Sequence, residues 1–316
     1  MEEFLSCIFI QAPTQIFEAP VFFAEVVISG LLVGVMYSLV ALGFVLIFKA
    51  SGIFNFAQGT MVLFAALTLV GLMDLGVPTW LAMILTIGVM ILLAIVVERV
   101  VLRPLINQDL IILFMATIGL NFVLEGLGET LWGSNVKKLD IGIPEVPWEI
   151  TVGEEYILLN SFDVYAAAIG AVLVVSLAVF FQRTSIGRAL RAVADDHQAA
   201  MSVGIPLQQI WVIVWSVAGI VALVAGIMWG AKSGVQFSLA LIALKALPVL
   251  ILGGFESVAG AIVGGLIIGV GEKVFELYWG PCIGGATENW FAYMLALMVL
   301  VFRPQGLFGE KIIERV

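Results

Sequence analysis

The sequence predicts an all-α polytopic membrane protein with discontinuous helices, and three observations carry that prediction. Of its 316 residues, 62% are hydrophobic and only 12% charged, with a mean hydropathy of +1.16; a soluble domain is about half apolar and about a quarter charged. Apolar segments long enough for helices follow one another along the chain, a full crossing needing about 20 residues. Polar breaks bounded by glycine, Gly52-Ile-Phe-Asn-Phe-Ala-Gln-Gly59 and Gly253-Gly-Phe-Glu-Ser-Val-Ala-Gly260, interrupt that pattern once in each half. In hydrocarbon, backbone groups freed by such a break must be satisfied by protein or by an aqueous cavity. Paired breaks of this kind point to a pathway through the membrane.

The apolar segments lie near 21–48, 60–75, 79–97, 109–128, 164–181, 209–230, 239–252, 257–279 and 286–302. The segment 239–252 is short and carries Lys245 and Pro248, which suits a half-helix, so eight or nine crossings are expected. No Lys or Arg precedes Lys49, and a cleavable signal peptide needs a basic start, so the first segment reads as a retained span. If the nine segments alternate, Lys49, Arg99, Arg103, Arg183, Arg188, Arg191, Arg303, Lys311 and Arg315 share one side, against Lys137, Lys138 and Lys232 on the other. The excess of basic residues marks the cytoplasmic side, which places the N-terminus outside and the C-terminus in the cytoplasm.

Two connections stand out. The external loop 129–163 has Gly/Pro punctuation and short alternating runs such as Glu149-Ile-Thr-Val, which suggest a small β-rich or irregular lid with two tryptophans near the interface. It reads as an ordinary connection or as a docking surface for an external partner. The cytoplasmic loop 182–206 is too polar to span and too orderly for a linker. Ala189, Ala192, Val193, Ala200 and Val203 recur near helical spacing among Arg188, Arg191, Asp195 and Asp196, and Gly204 and Pro206 close the run. One or two short amphipathic helices follow, lying either on membrane lipid or in the socket of a cytoplasmic motor.

Several chemistries are excluded or disfavoured. No lysine follows a glycine, so there is no phosphate-binding loop of the G-x-x-x-x-G-K-[ST] kind. The single histidine, His197, lies in a polar loop, which leaves no His-rich metal site, no Ser-His-Asp triad and no zinc-protease motif; metal ligands and catalytic residues are none. No basic stripe suits nucleic acid. Cys7 and Cys282 are too few for a disulfide framework and read as unpaired small apolar residues. Inside the spans, ionisable residues need a reason. They are Glu125, Lys245 and the pair Glu272-Lys273. Lys245 snorkels, pairs with Glu256 or Glu272, or lies on the pathway, where its ammonium would orient a carboxylate. Asn55 and Gln58, with Gly59 beside them, offer amide donors and acceptors at the first break.

These residues also carry a family pattern. The run Gly30-Leu-Leu-Val-Gly-Val-Met-Tyr-Ser-Leu-Val-Ala-Leu-Gly43 followed by Asn55-Phe-Ala-Gln-Gly59 resembles the start of branched-chain amino-acid ABC permeases. So do Glu98-Arg-Val-Val-Leu-Arg-Pro104, Gly187-Arg-Ala-Leu-Arg-Ala-Val-Ala-Asp-Asp196, the second glycine motif from Gly253, and the tail Arg303-Pro-Gln-Gly-Leu-Phe-Gly309. The match covers nearly the whole chain and is most similar to the smaller, H-type subunit.

The resemblance implies a type II ABC importer-like permease fold, with residues 1–316 forming a single transmembrane permease domain in a bacterial inner membrane. It implies a second, M-type permease, two cytoplasmic ATPases that bind the ATP and Mg, and a periplasmic binding protein, with no cofactor on this chain. Gly187, Arg188, Arg191, Ala192, Asp195 and Gly204 would then couple to an ATPase, and Gly253, Gly254, Glu256 and Gly260 would form a turn at the gate. Departures are Gln58, where many relatives have His, Glu256, where Gly is usual, and Pro248. They bear on substrate, since related permeases import urea, short amides or aromatic and alicyclic acids. From another class, an ion-gradient secondary transporter also fits paired breaks, although no carboxylate or His stands beside Asn55 to carry a proton.

Overall fold

A computed structural model describes residues 5–105, 108–195 and 197–309. Along the chain the helices are α1 (Ala12–Glu18), α2 (Pro20–Ser51), α3 (Gln58–Asp74), α4 (Thr79–Val96) and α5 (Leu110–Trp132). A hairpin of β1 (Pro147–Val152) and β2 (Glu155–Asn160) follows, then α6 (Ser161–Arg183), α7 (Ser185–Asp195), α8 (His197–Ser202) and α9 (Leu207–Ser233). A 3-10 turn at Phe237–Leu241 leads into α10 (Ile242–Gly253), followed by α11 (Val258–Tyr278), α12 (Gly280–Ile283) and α13 (Phe291–Phe302). Six of these helices are long and apolar enough to cross a membrane, and three shorter apolar helices span Gln58–Asp74, Phe237–Gly253 and Phe291–Phe302. Each expected segment is therefore a helix, and the chain is an all-α multi-pass membrane protein.

The chain divides into two compact units. Unit 1 comprises Met1–Ser38, Gly142–Ala171 and Lys245–Val316; unit 2 comprises Leu39–Ile141 and Val172–Leu244.

In unit 2, α9 packs against α3 and α4, and α3 also packs against α5. Glycines let these helices approach: a Cβ on Gly226 would lie 2.6 Å from the Val62 carbonyl oxygen, and one on Gly219 would lie 3.1 Å from Met90 Cβ. Without a hydrophobic driving force in lipid, such close van der Waals contact is a main source of helix association. Trp211 anchors α9 by donating its ring N–H to the Ala50 carbonyl at 3.2 Å. After α4 the helix continues through a π turn, Val97–Leu102, where the buried Glu98 receives Arg103 Nε at 3.1 Å and Nη2 at 3.0 Å. Pro104, lacking an N–H, ends the run.

Unit 1 is built on a seam of small residues. Gly30, Gly34 and Ser38 recur every fourth position on α2, opposite Gly269, Gly265 and the Ile262 carbonyl on α11. A Cβ on Gly34 would stand 2.7 Å from the Gly265 carbonyl oxygen, and one on Gly30 would stand 2.7 Å from Val270 Cα. The two backbones touch, with Ser38 Oγ 3.2 Å from the Ile262 carbonyl.

The loop 129–163 holds the expected strands. Glu149 pairs with Leu158 and Ile150 with Ile157, and Gly153, at φ +69°, begins the two-residue turn where hairpins favour glycine. Glu25 Oε2 accepts from the Leu158 N–H at 2.8 Å, tying the hairpin to α2, and Asn160 Oδ1 caps α6 at the Phe162 N–H. Residues expected in the loop from 129 instead extend α5 to Trp132, whose ring covers Gly71.

Two expectations are corrected. Helix α13 begins at Phe291, not at 286, because Glu276 holds the segment before it. Its Oε2 accepts from the Thr287 and Glu288 N–H groups at 2.6 and 3.1 Å, and its Oε1 accepts from Ala286 N–H at 3.0 Å. The cysteines are not unpaired: Cys7 and Cys282 form a disulfide with Cα atoms 5.7 Å apart. Trp279 secures the same corner by donating to the Ile8 carbonyl at 3.2 Å. Two cysteines suffice for one bridge when topology brings them together. The bridge closes a loop of 275 residues, and such cross-links stabilise by about 2–4 kcal/mol. Purified protein denatured without reductant should give no maleimide-reactive thiol, and two after reduction; two reactive thiols before reduction would contradict the bridge.

Candidate functional site

The first break, residues 52–57, lies wholly in unit 2 and is closed by polar side chains. Gly52 ends α2 with φ +66°, a conformation glycine adopts at no steric cost. Ser51 Oγ accepts from the Ile53 N–H at 3.3 Å, and Thr117 Oγ1 accepts from the Phe56 N–H at 3.1 Å. Asn55 does most of the work of starting α3. Its Oδ1 accepts from the Ala57 N–H at 3.1 Å, and its Nδ2 donates to Gln58 Oε1 at 3.3 Å. The backbone freed by the break is thus met by protein, as hydrocarbon requires.

The structure brings the three pathway candidates of this break together. Asn55 and Gln58 are 1% and 0% exposed, and the Gln58 amide lies against Gly43 with its Nε2 lacking a hydrogen-bond partner among the described residues. Gly59 sits where α3 meets the 3-10 turn: its Cβ would collide with the Ala240 carbonyl and lie 2.7 Å from Ala243 Cβ. In this conformation both amides face inward.

Lys245, in unit 1, belongs to a different cluster. Its Nζ is 2.6 Å from Glu272 Oε1 and 3.9 Å from Glu288 Oε2, while Lys273 Nζ lies 2.7 Å from Glu288 Oε1. Tyr37 donates to Glu272 Oε1 at 3.3 Å. Glu272 is 2% exposed, and its Oε2 has no hydrogen-bond partner among the described residues. Of the readings open for Lys245, the pairing with Glu272 is the one the geometry displays. Meeting a substrate carboxylate would require that pair to open.

The second break is a tight turn between α10 and α11. Gly253 and Gly260 touch backbone to backbone, Gly254 takes φ +102°, and Ser257 Oγ caps α11 at the Gly260 N–H, 3.0 Å away. The tail motif docks here. Leu307 and Phe308 donate backbone N–H groups to the Leu252 and Gly253 carbonyls at 2.8 and 3.1 Å, satisfying the end of α10. Gly306 approaches so closely that a Cβ on it would lie 2.8 Å from Gly254 N. Glu256 is exposed in this turn. Two motifs 50 residues apart thus form one structural unit, which spacing alone did not reveal.

Residues 182–206 form the two short helices expected. Gly187 is buried where α7 folds back on the end of α6; a Cβ there would collide with the Phe181 carbonyl. Arg191 Nη1 donates to that same carbonyl at 2.5 Å. Leu190, Val193 and Ala200 are buried, Ala192 is partly covered, and Arg188 is exposed. Gly204, at φ +85°, closes α8, with Ile205 N–H donating to the Ala200 carbonyl. Met201 and Val203 are left exposed, the latter by 75%. The side chains of Asp195 and His197, all of Asp196, and the tail residues Lys311 and Arg315 lie outside the described residues.

The described residues form a multi-pass helical membrane protein with two protein-satisfied breaks and a polar helix pair, and its relatives make it a membrane transport subunit. The family model described as branched-chain amino acid transport system / permease component matches residues 26–303. The chain belongs to that family. It is 28% identical over 309 residues to the high-affinity branched-chain amino acid transport system permease protein BraD of Pseudomonas aeruginosa, covering 93% of this chain and 98% of the relative. Identity to the corresponding protein LivH of Escherichia coli K12 is 25% over 310 residues, with the same coverage. A probable LivH of Methanocaldococcus jannaschii is 25% identical over 295 residues, 90% of each chain. Among solved structures, PsaBC from Streptococcus pneumoniae in complex with Fab shares the fold at a TM-score of 0.51 and 14% identity, covering 89% of this chain and 92% of that one.

Proposed function

We propose that the chain is one permease subunit of an ATP-binding-cassette importer that carries branched-chain amino acids into a bacterial cell across the inner membrane. The observation that carries this reading is family membership across residues 26–303. The chain acts as a single permease domain beside a second, M-type permease, two cytoplasmic ATPases that hold the ATP and Mg, and a periplasmic protein that delivers the amino acid.

The N-terminus lies outside and the C-terminus in the cytoplasm. The distribution of Lys and Arg supports this orientation, and so does the disulfide. It joins Cys7 to Cys282, and such bonds persist on the oxidising, outer side of the membrane. In this orientation α7 and α8 face the cytoplasm. Their exposed Arg188, Met201 and Val203 offer a mixed basic and apolar surface to an ATPase cleft, and apolar residues exposed beyond the spans favour a protein partner. Gly187, Arg191, Ala192 and Gly204 hold the pair in shape, while Asp195 adds charge at the end of α7.

The Asn55–Gln58–Gly59 break and Lys245 line or control the pathway. The Gly253–Gly260 turn, with Gly254 and Glu256, shapes the cytoplasmic gate. Transport then depends on two states with different affinity for the amino acid.

Co-purification tests the assembly: the tagged chain should recover the second permease and two ATPases. Arg188→Glu should leave membrane insertion intact and lower uptake by about tenfold, the loss of a coupling contact worth about 1.4 kcal/mol. Normal uptake by this variant would make the helix pair a lipid anchor, and recovery of the chain alone would count against the importer.

A further inference from the structure

Glu272 is the observation to explain. It lies on α11, six positions before that helix ends at Tyr278, about 9 Å at 1.5 Å per residue. The residue is 2% exposed, yet its Oε2 has no hydrogen-bond partner among the described residues. An unused acceptor on a buried carboxylate is costly, and ionisable groups inside spans mark the paths of polar cargo.

Its neighbours form an alternating row of charge within unit 1. Lys273 Nζ meets Glu288 Oε1 at 2.7 Å, Glu288 Oε2 stands 3.9 Å from Lys245 Nζ, and Lys245 Nζ meets Glu272 Oε1 at 2.6 Å. Lys245 therefore stands between two carboxylates, in contact with the buried one and a short swing from the partly exposed one. Moving its ammonium to Glu288 keeps that charge paired and opens Glu272, to which Tyr37 still donates at 3.3 Å. A zwitterion set into the opening preserves the alternation, with its carboxylate against Lys245 and its ammonium against Glu272. An acid without an amine would leave Glu272 buried and unpaired, and an amine without a carboxylate would stand beside Lys245 with like charge. The row also begins at the right end of the molecule. Glu288 is six residues beyond Cys282, whose bridge to Cys7 marks the outer side in the orientation proposed above.

We propose that Glu272 receives the ammonium of the transported amino acid while Lys245, drawn toward Glu288, holds its carboxylate. The cluster is then a site for α-amino acids that rejects simple acids and amides. The inference rests on the importer reading, which supplies an amino acid but assigns no group to its ammonium.

The test is equilibrium binding to the purified complex without its binding protein. The probes are L-leucine, isocaproate (leucine without its amino group) and leucinamide (leucine without its carboxylate). The unsubstituted complex should bind L-leucine about tenfold or more tighter than either analogue. Glu272→Gln should weaken L-leucine by about tenfold or more and leave isocaproate unchanged, because only the ammonium contact is lost. Lys245→Gln should weaken L-leucine and isocaproate and leave leucinamide unchanged. A merely structural role for the pair would weaken every probe alike in both variants. That result, or equal binding of the three probes by the unsubstituted complex, would overturn the site. ATP-driven leucine uptake alongside either result would leave the importer reading standing, and absence of that uptake from the unsubstituted complex would remove it.

Discussion

Replacing Gly265 with leucine should prevent unit 1 from closing. Its Cβ would lie 2.7 Å from the Gly34 carbonyl oxygen and against Ser38 Oγ, so the obstruction is partly backbone, which cannot move aside as a side chain can. Helices α2 and α11 would have to separate along a seam that also includes Gly30 and Gly269. Overpacking costs about 1–3 kcal/mol in ordinary cores, and a backbone contact puts this variant at about 3 kcal/mol or more. The apparent melting temperature in detergent should fall by about 5 °C or more. Gly88→Leu, where nothing lies within 4 Å, should leave it unchanged. An unchanged melting temperature for Gly265→Leu would mean that the seam does not hold unit 1 together.

Removing the carboxylate in Glu272→Ala should be about as damaging. Among the described residues Lys245 would keep Glu288 Oε2 at 3.9 Å, and Tyr37 would lose its hydrogen bond to Glu272. Breaking a buried pair by removing one partner costs about 3–5 kcal/mol, whereas replacing both partners by apolar residues is often neutral. The double variant Lys245→Met/Glu272→Leu should therefore recover most of the stability lost by Glu272→Ala. A thermal-denaturation cycle reads the coupling; additive losses would show that the pair is not a unit. Uptake by the double variant then separates two roles. Stability restored with transport lost places Lys245 on the pathway, and both restored make it a structural pair.

Much of this fold was legible because hydrophobic length is a strong signal in a membrane chain. The helices begin and end near where apolar runs meet glycine, proline or charge, and Glu149-Ile-Thr-Val is a strand as its alternation indicated. What escaped depends on residues distant in sequence. By number alone Cys7 and Cys282 suggest no bridge, yet alternation of spans puts both on the same side, a signal that points to the bridge the structure holds. The start of α13 was misplaced because Glu276 captures Ala286, Thr287 and Glu288 from another helix. The four-residue spacing of Gly30, Gly34 and Ser38 was visible, yet spacing does not say which helix lies opposite.

The candidate site was legible in residue type more than in direction. Asn55 and Gln58 were identified as the polar content of the first break, and they do meet each other there. Periodicity cannot say that both turn inward, because the break leaves the regular helix. For Lys245 the pairing with Glu272 was one of the readings available, 27 residues away and on a separate helix.

The central claim is that this chain moves an amino acid with energy supplied by separate ATPases. Uptake of radiolabelled leucine into proteoliposomes holding the complete complex tests it most directly. Binding protein is placed outside, ATP inside, and ion gradients are collapsed with an ionophore. Leucine should accumulate against its gradient in a manner that depends on ATP and survives loss of the ion gradients. Accumulation that disappears with the ion gradients while ATP remains would contradict it.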